Sequence, residues 1–459
     1  MNTTRPFPQL RKLLDRSLLL FPVLILGQTM YGQLGLAGSS YTGLWNLEEQ
    51  PAAISYSQNA MEFNVVKLSA NVDNDFVHLS SLHFRALSLS DVQTHGDLTA
   101  DAAQRRGTRV LDIDSRILGP SCMMRFGRTS LALTTGLRAR MDVTNVEGIL
   151  RLLDADALNI NVQENIRLGI LRFGSRQLAW GEGGFTVARR FHLNKRVRVH
   201  AAATGKLLLG LHGAYIQNDA PTLTVNLATQ ELRDVNLSYG LSDFEATAKG
   251  KLIQGAGFGL DAGIVLELLH DRRCGKEEAK HLLRFGAAIT DLGGITFGGK
   301  ARSNAIIDGR TTLLGFTNLV IDDVASVDTA LSHLLLGDAQ ASDQRQGLRM
   351  ALPTSLRTSI DWNVTGKLYL HAAGTFGVDR GINSVRTPDV VSLAPRFGGR
   401  MCEVALPLSL YRLKEPRIGI NVRVGPVMIG SDKVGALLGL TDLGGMDVYM
   451  GVRIAIKEK

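Results

Sequence analysis

The sequence predicts an all-β fold: a transmembrane antiparallel β-barrel of roughly 14 strands with an N-terminal plug segment. Three observations carry that expectation. Apolar residues recur at every second position along many segments. An N-terminal apolar stretch has the form of an export signal. After it, no apolar run reaches about 18 residues, the length a membrane helix needs.

The last segment shows the pattern best, with Val448, Met450, Val452, Ile454 and Ile456 alternating with Tyr449, Gly451, Arg453 and Ala455. Side chains alternate across a strand, so one face is apolar and the other mixed and partly charged. Ile418, Ile420, Val422 and Val424 repeat it against Arg417, Gly419, Asn421 and Arg423. Further upstream the same rhythm sets Val66, Leu68 and Val72 against Lys67, Ser69, Asn71 and Asp73, and Leu133 and Leu137 against Arg138 and Arg140. It also sets Val197 and Val199 against Arg196, Arg198 and His200, Phe258 through Leu266 against Asp261 and Glu267, and Leu356, Ile360 and Trp362 against Arg357 and Asp361. A soluble sandwich would bury the apolar face; a barrel in lipid would expose it and keep the polar face in its lumen. A lipid-facing arginine at mid-membrane costs about 2–4 kcal/mol, so a bilayer would impose this segregation of charge. The candidate lumen-lining residues are therefore Arg138, Arg140, Arg196, Arg198, Asp261, Arg357, Asp361, Arg423 and Arg453.

Residues 1–33 read as a signal peptide, with Arg5, Arg11, Lys12 and Arg16 before the apolar stretch Ser17–Gly27. Pro22 interrupts that stretch, which is too short for a spanning helix; an N-terminal anchor is the competing reading. The segment carries four positive charges and one negative, so its removal lowers the formal charge from +8 to +5. No basic cluster points to nucleic acid. Residues 34–60 are small, polar and turn-rich and read as a plug inside or across the barrel, with Trp45, Gln50, Pro51 and Ala52 as candidate plug residues; 61–459 form the wall. Helix-like spacing recurs at 147–158 and 324–340, expected as loop helices, and 88–120 and 300–350 are expected long loops.

Composition agrees with this. Apolar residues make up 45% and charged residues 20%, with mean hydropathy +0.06, which fits neither a helical membrane protein nor a disordered chain. Cys122, Cys274 and Cys402 are too few for a disulfide framework, although one bridge is possible. Aromatic residues are only 6%, thin for interfacial girdles, and the chain ends Ile456-Lys-Glu-Lys rather than on an aromatic.

Chemical signals are weak. Gly255-x-Gly257-x-Gly259 lacks the third glycine of a phosphate loop and sits in a strand, where glycine relieves crowding. His270, Cys274 and His281 match no metal-ligand spacing and read as a hairpin turn. Asp73 and Asp75 lack the glycine and glutamate of a calcium loop. Neither a Gly-x-Ser-x-Gly elbow nor His-Glu-x-x-His is present, so no enzyme, cofactor or metal is expected.

Tyr41-Thr-Gly-Leu-Trp45 followed by Gln50-Pro51-Ala52 resembles the hatch of the long-chain fatty-acid transporter-like outer-membrane superfamily. The branch most like it is an uncharacterised family of unknown function. Asn64-Val-Val66, Asn71–Asn74, Gly257–Gly263, Asp291–Ile295 and Val404–Leu408 are similar to that branch's strand motifs; its members typically carry Asn-Pro-Ala where this chain has Gln50-Pro51-Ala52. The resemblance implies a monomeric, plugged barrel in the outer membrane of a Gram-negative bacterium. It further implies transport of small hydrophobic molecules, held inside and released sideways into lipid. No binding residue carries over. The alternative is a barrel that docks envelope proteins or secretion cargo, and the third reading is a secreted soluble β-protein.

Overall fold

The computed structural model describes residues 34–74, 110–145, 165–169, 173–218, 222–226, 231–243, 246, 250–270, 281–312, 324–341, 345–437 and 445–457. The expected signal peptide, the helix at 147–158, Asp75 and the charged stretch Asp271–Lys280 lie outside these residues.

All described strands belong to one antiparallel sheet closed into a barrel. Asn59–Asn74 pairs on one side with Gly445–Lys457 and on the other with Val110–Leu118 and Ser121–Phe126, so the last strand closes on the first. The wall continues through Thr129–Thr144, Phe173–His192, Val197–Asn218, Gly255–Leu269 and the long His281–Thr312. It returns through Ser355–Asn363, Leu368–Gly377, Val390–Gly398 and a set of short segments to Gly445–Lys457. The sheet is divided into 21 segments, more than the roughly 14 strands that the alternation suggests. Local breaks divide several single strands. Gly119-Pro120 splits 110–126, yet both halves pair with the same two neighbours. Pro407 separates Cys402–Ala405 from Leu408–Tyr411; proline has no N–H to give to a ladder.

The tight turns 127–128, 193–196, 364–367, 399–401 and 425–426 gather at one end, with Asn59 and Lys457. We call this the turn end. The opposite end, which we call the loop end, carries the longer connection 378–389 beside the tight turn 412–414.

Exposure decides between the barrel and the sandwich. Phe258 (73% exposed), Leu260, Ile264 and Leu266 face out, while Asp261 and Glu267 between them are 2–3% exposed. Arg140, Arg396, Arg423 and Lys67 are among the largest fully buried side chains. In water this arrangement would strip charges of solvent and leave aliphatic side chains wet. In lipid the apolar face is no longer wet, and the charges cost less paired inside than facing the hydrocarbon. The apolar stripes therefore meet a bilayer, and the reading as a soluble sandwich is overturned. The tryptophans explain the thin girdle: Trp45 and Trp180 are buried inside, while Trp362 is 45% exposed on the outer face.

The expected loops are corrected in part. Val110–Leu118 is wall strand, and 300–350 contains strand to Thr312, the helix Val324–Leu336 and strand from Arg345. The helix buries Leu331 and Leu335, with Leu335 beside Gly309, and Asp328 accepts a 2.7 Å hydrogen bond from the Tyr239 hydroxyl. Nearer the barrel, Trp180, Leu208, Ile295, Phe297, Leu348 and Met350 form an apolar layer on the inner wall towards the loop end. The turn half of the lumen is filled by 34–58. Cys122 and Cys402 are free.

Replacing outward-facing Ile264 with arginine should cost about 2–4 kcal/mol of stability in a bilayer, measured by urea titration in vesicles. A stability equal to that of the parent would contradict lipid contact at this position.

Candidate functional site in the plugged lumen

The plug folds on small residues. Leu44–Asn46 and Ala53–Tyr56 are single helical turns, both buried. Asn46 ties the first stretch together, donating from Nδ2 to the Ala37 carbonyl (2.8 Å) and to Thr42 Oγ1 (2.8 Å). Gly38 lies so near Asp361 and His371 that a Cβ there would overlap both.

The plug packs apolar side chains on the wall, Leu36 and Trp45 against Met428 and Tyr449, Leu44, Leu47 and Ile54 against Met123 and Ala188, and Tyr56 against Val265, and polar side chains tie it there as well. Trp45 donates from Nε1 to Asn64 Oδ1 (2.7 Å), and its ring lies 4.7 Å from the Arg453 guanidinium, within cation–π range. Arg453 pairs with Glu62 and donates to the Tyr41 carbonyl. Glu62 also accepts from the Leu44 amide (2.9 Å), the Ser57 hydroxyl (2.7 Å) and Asn59 Nδ2 (2.9 Å). Ser39 donates to Glu403, which holds Arg423 at 2.8 Å. Arg284 donates to Ser40 Oγ (2.8 Å), pairs with Glu267 (2.8 Å) and stacks over Tyr56. Ser55 shares a 2.7 Å hydrogen bond with His200 Nδ1.

The plug's two acids, Glu48 and Glu49, reach the wall as well. Glu48 bridges Arg116 (2.6 Å) and Lys67 (3.1 Å), and Glu49 pairs with Arg357. Burial by itself would raise the Glu48 carboxyl; Arg116 and Lys67 outweigh it and hold the group well below the ordinary carboxylate range. Burial, against the pull of Arg284, pushes the Tyr56 hydroxyl up to about 12.

Two small cavities, each of about 40 Å³, flank the plug. One sets Glu48, Glu49, Asp114 and Asp432 against Lys67, Arg116, Arg357 and Arg417. The other lies against Gln50, Tyr56, Arg284, Asp361 and His371. Glu49, Arg357 and Thr375 line both, so the Glu49–Arg357 ion pair stands where the two meet. Both cavities mix charged side chains with apolar ones, among them Leu34 and Val390 in the first and Ala37, Val265 and Ala373 in the second. A wall that turns its apolar side chains to lipid leaves its polar side chains for the lumen.

Over residues 51–432 the sequence matches the model of a family of unknown function, DUF5723. The chain belongs to that family. No curated protein matches it. Among solved structures, the toluene transporter TbuX of Ralstonia pickettii is similar at 10% identity, covering 89% of this chain and 91% of that one, with a TM-score of 0.35. The toluene transporter TodX of Pseudomonas putida is similar at 10% identity, with 93% and 97% covered and a TM-score of 0.39. The translocator domain of the autotransporter NalP from Neisseria meningitidis follows at 7%, 90% and 94%, with 0.32.

In this DUF5723 barrel the candidate plug residues lie together. Gln50 donates to the wall carbonyls of Ile264 (3.3 Å) and Ala287 (3.2 Å), and a Cβ on Gly263 would strike its Oε1. Pro51 and Ala52 are buried. Of the candidate lumen residues, Arg138 makes a bidentate pair with Asp291 (2.8 and 2.9 Å). Arg140 pairs with Asp114 (3.2 Å), and Asp261 with Lys206 (2.7 Å). Arg198 is 3.6 Å from Glu267. Asp361 is held by His281 (2.7 Å), Arg396 (3.1 Å) and His371 (3.4 Å). Arg357, Arg423 and Arg453 meet the plug or its partners as described above. Arg196 is the exception: it is exposed in the turn 193–196, because the strand begins one residue later at Val197. His281, weighed as a metal ligand, is instead the partner of Asp361.

Sequence reasoning missed the partners: Glu48, Glu49, Glu62, Asn64, Asp291 and Glu403. Their signal was charge balance, since each inward arginine requires a carboxylate and 34–60 contains two acids and no basic residue.

The Glu48 carboxyl lies below its unfolded value of about 4.3, so its contribution to docking is complete at pH 5 and above and fades only in stronger acid. Amide-exchange protection across 44–56 should hold from about pH 8 to about pH 5 and weaken below the ordinary carboxylate range. Glu48→Gln should lose protection already at pH 7. Unchanged protection in that variant would contradict the role given to the Glu48 bridge.

Proposed function

We propose that this protein is an outer-membrane conduit for a small polar molecule, shut by residues 34–58 at rest and open only when that segment gives way. One observation carries the reading: the plug's Glu49 meets Arg357 where two cavities lined by charged side chains join. Ion pairs and hydrogen bonds there can be exchanged for water or for a polar ligand at modest net cost, while the apolar contacts of Leu44, Leu47 and Ile54 with the wall must part as well. The nearly balanced lining favours small, neutral or zwitterionic solutes over strongly charged ones.

The outer membrane of a Gram-negative bacterium fits the outward apolar wall and the export signal read at 1–33. The turn end then faces the periplasm and the loop end the outside, following the usual asymmetry of such barrels. A hydrophobic passenger, which the fatty-acid-transporter resemblance implies, is the second reading, and the apolar lining at Ala37, Val265 and Ala373 favours it. Docking of envelope proteins or cargo would fall to the loop end, much of which lies outside the described residues. We read the barrel as a transporter, not an enzyme, and as a monomer.

The test is conductance in planar bilayers together with swelling of liposomes in arabinose and glycine, using protein whose folding is checked by heat-modifiable migration. The intact chain should be nearly closed to both solutes, and deletion of 34–58 should raise conductance and swelling several-fold. Equal values for the two proteins would overturn the reading.

A further inference from the structure

The connection between Leu368–Gly377 and Val390–Gly398 is folded into the barrel mouth rather than out into solvent. It reaches the opposite wall. Arg140 Nε donates to the Arg386 carbonyl at 2.6 Å, and the Arg386 amide donates to Asp142 at 2.9 Å. Arg176 Nε donates to the Ile382 carbonyl at 3.0 Å and pairs with Asp142 at 2.9 Å. On another side Asn383 donates from Nδ2 to the Arg349 carbonyl (2.8 Å), its own carbonyl accepts from the Ala351 amide (2.9 Å), and the two backbones run parallel at Ala351 and Ser384. Val385, 1% exposed, sits in the apolar layer with Trp180 and Phe297.

This segment spans the lumen, and its position relative to the plug gives it a role. Thr375 and Val390, next to its two stems, line the first cavity, while Glu48 and Glu49 of the plug line the same cavity from the other side. We propose that residues 378–389 are a second gate, in series with the plug, so that a small polar solute must pass both to cross the lumen. The proposal rests on the plugged-conduit reading above. The segment has the construction a gate requires. It has no regular structure of its own, and Val378–Gly381 are exposed. Its ties to the far wall are a few charge-assisted hydrogen bonds from Arg140, Asp142 and Arg176, which water can replace on opening. Only Val385 and its neighbours resist lifting by apolar burial.

Two barriers in series have a signature that one barrier lacks. The experiment compares four proteins in planar bilayers and in arabinose-loaded liposomes: the intact chain, the 34–58 deletion, Asp142→Asn/Arg176→Ala, and the combination. Freeing the strap alone should leave conductance at the intact level, because the plug still blocks. Deleting the plug should raise it to a level set by the strap, and the combination should exceed the deletion by at least threefold. A combination equal to the deletion alone would overturn the second gate and leave the plug reading standing. A deletion equal to the intact chain, with the strap variant alone open, would overturn the plug reading.

Should the deletion fail to fold, a second measurement keeps the whole plug. Ser384→Cys, in a background with the three native cysteines changed to serine, is labelled on intact cells with a membrane-impermeant maleimide. Labelling should be slow and should speed up at least tenfold when Asp142→Asn/Arg176→Ala is added; equally fast labelling in both would overturn the gate.

Discussion

A wall with lipid on its outside must send every charged side chain inward, into a space too narrow for bulk water. Arg140, Arg396, Arg423 and Lys67 are fully buried there. A charge so placed is tolerable only when paired, and removing one partner of such a pair costs about 3–5 kcal/mol. The remaining architecture follows from that requirement. Other wall strands supply some of the partners, a neighbouring strand in Lys206–Asp261 and a distant one in Arg138–Asp291. For Arg116, Lys67 and Arg357, the partners are Glu48 and Glu49 of the plug. The plug is therefore part of the lumen's charge balance as well as an obstruction within it, and moving it leaves cations that need water or a ligand.

The same requirement makes the closed state specific and reversible. Polar contacts fix the register of the plug through geometry: Gln50 on two wall carbonyls, Trp45 on Asn64, Ser39 on Glu403. Their net strength is modest because each can be exchanged for hydrogen bonds to water. Towards the loop end the lumen changes character, with Trp180, Phe297 and Met350 packed as a dry layer on which Val385 of the 378–389 segment rests. The plug near the turn end is held by polar and apolar contacts together, and the 378–389 segment near the loop end likewise.

The wall was legible in the sequence because lipid imposes a period of two, and a strand reports its own faces without reference to its neighbours. Val448–Ile456 and Phe258–Leu266 face as the alternation requires. Arg196 was misplaced because alternation does not say where a strand starts, and one residue of turn moves the side chain out to solvent. The plug was visible as a break in the pattern, yet its contacts were not. Glu48 meets Lys67 and Arg116, and Glu49 meets Arg357, across sequence separations that no local rule spans. The helix Val324–Leu336 was read from its spacing, whereas the inward fold of 378–389 left no periodic trace at all.

The central claim, that this barrel is apolar outside and sealed inside, is tested most directly by its three tryptophans. In single-tryptophan variants reconstituted into brominated lipid, Trp362 should be quenched by the lipid. Trp45 and Trp180 should be quenched neither by lipid nor by aqueous iodide. Iodide quenching of Trp45 would show an open lumen, and lipid quenching of Trp45 or Trp180 in place of Trp362 would show that the wall faces the other way.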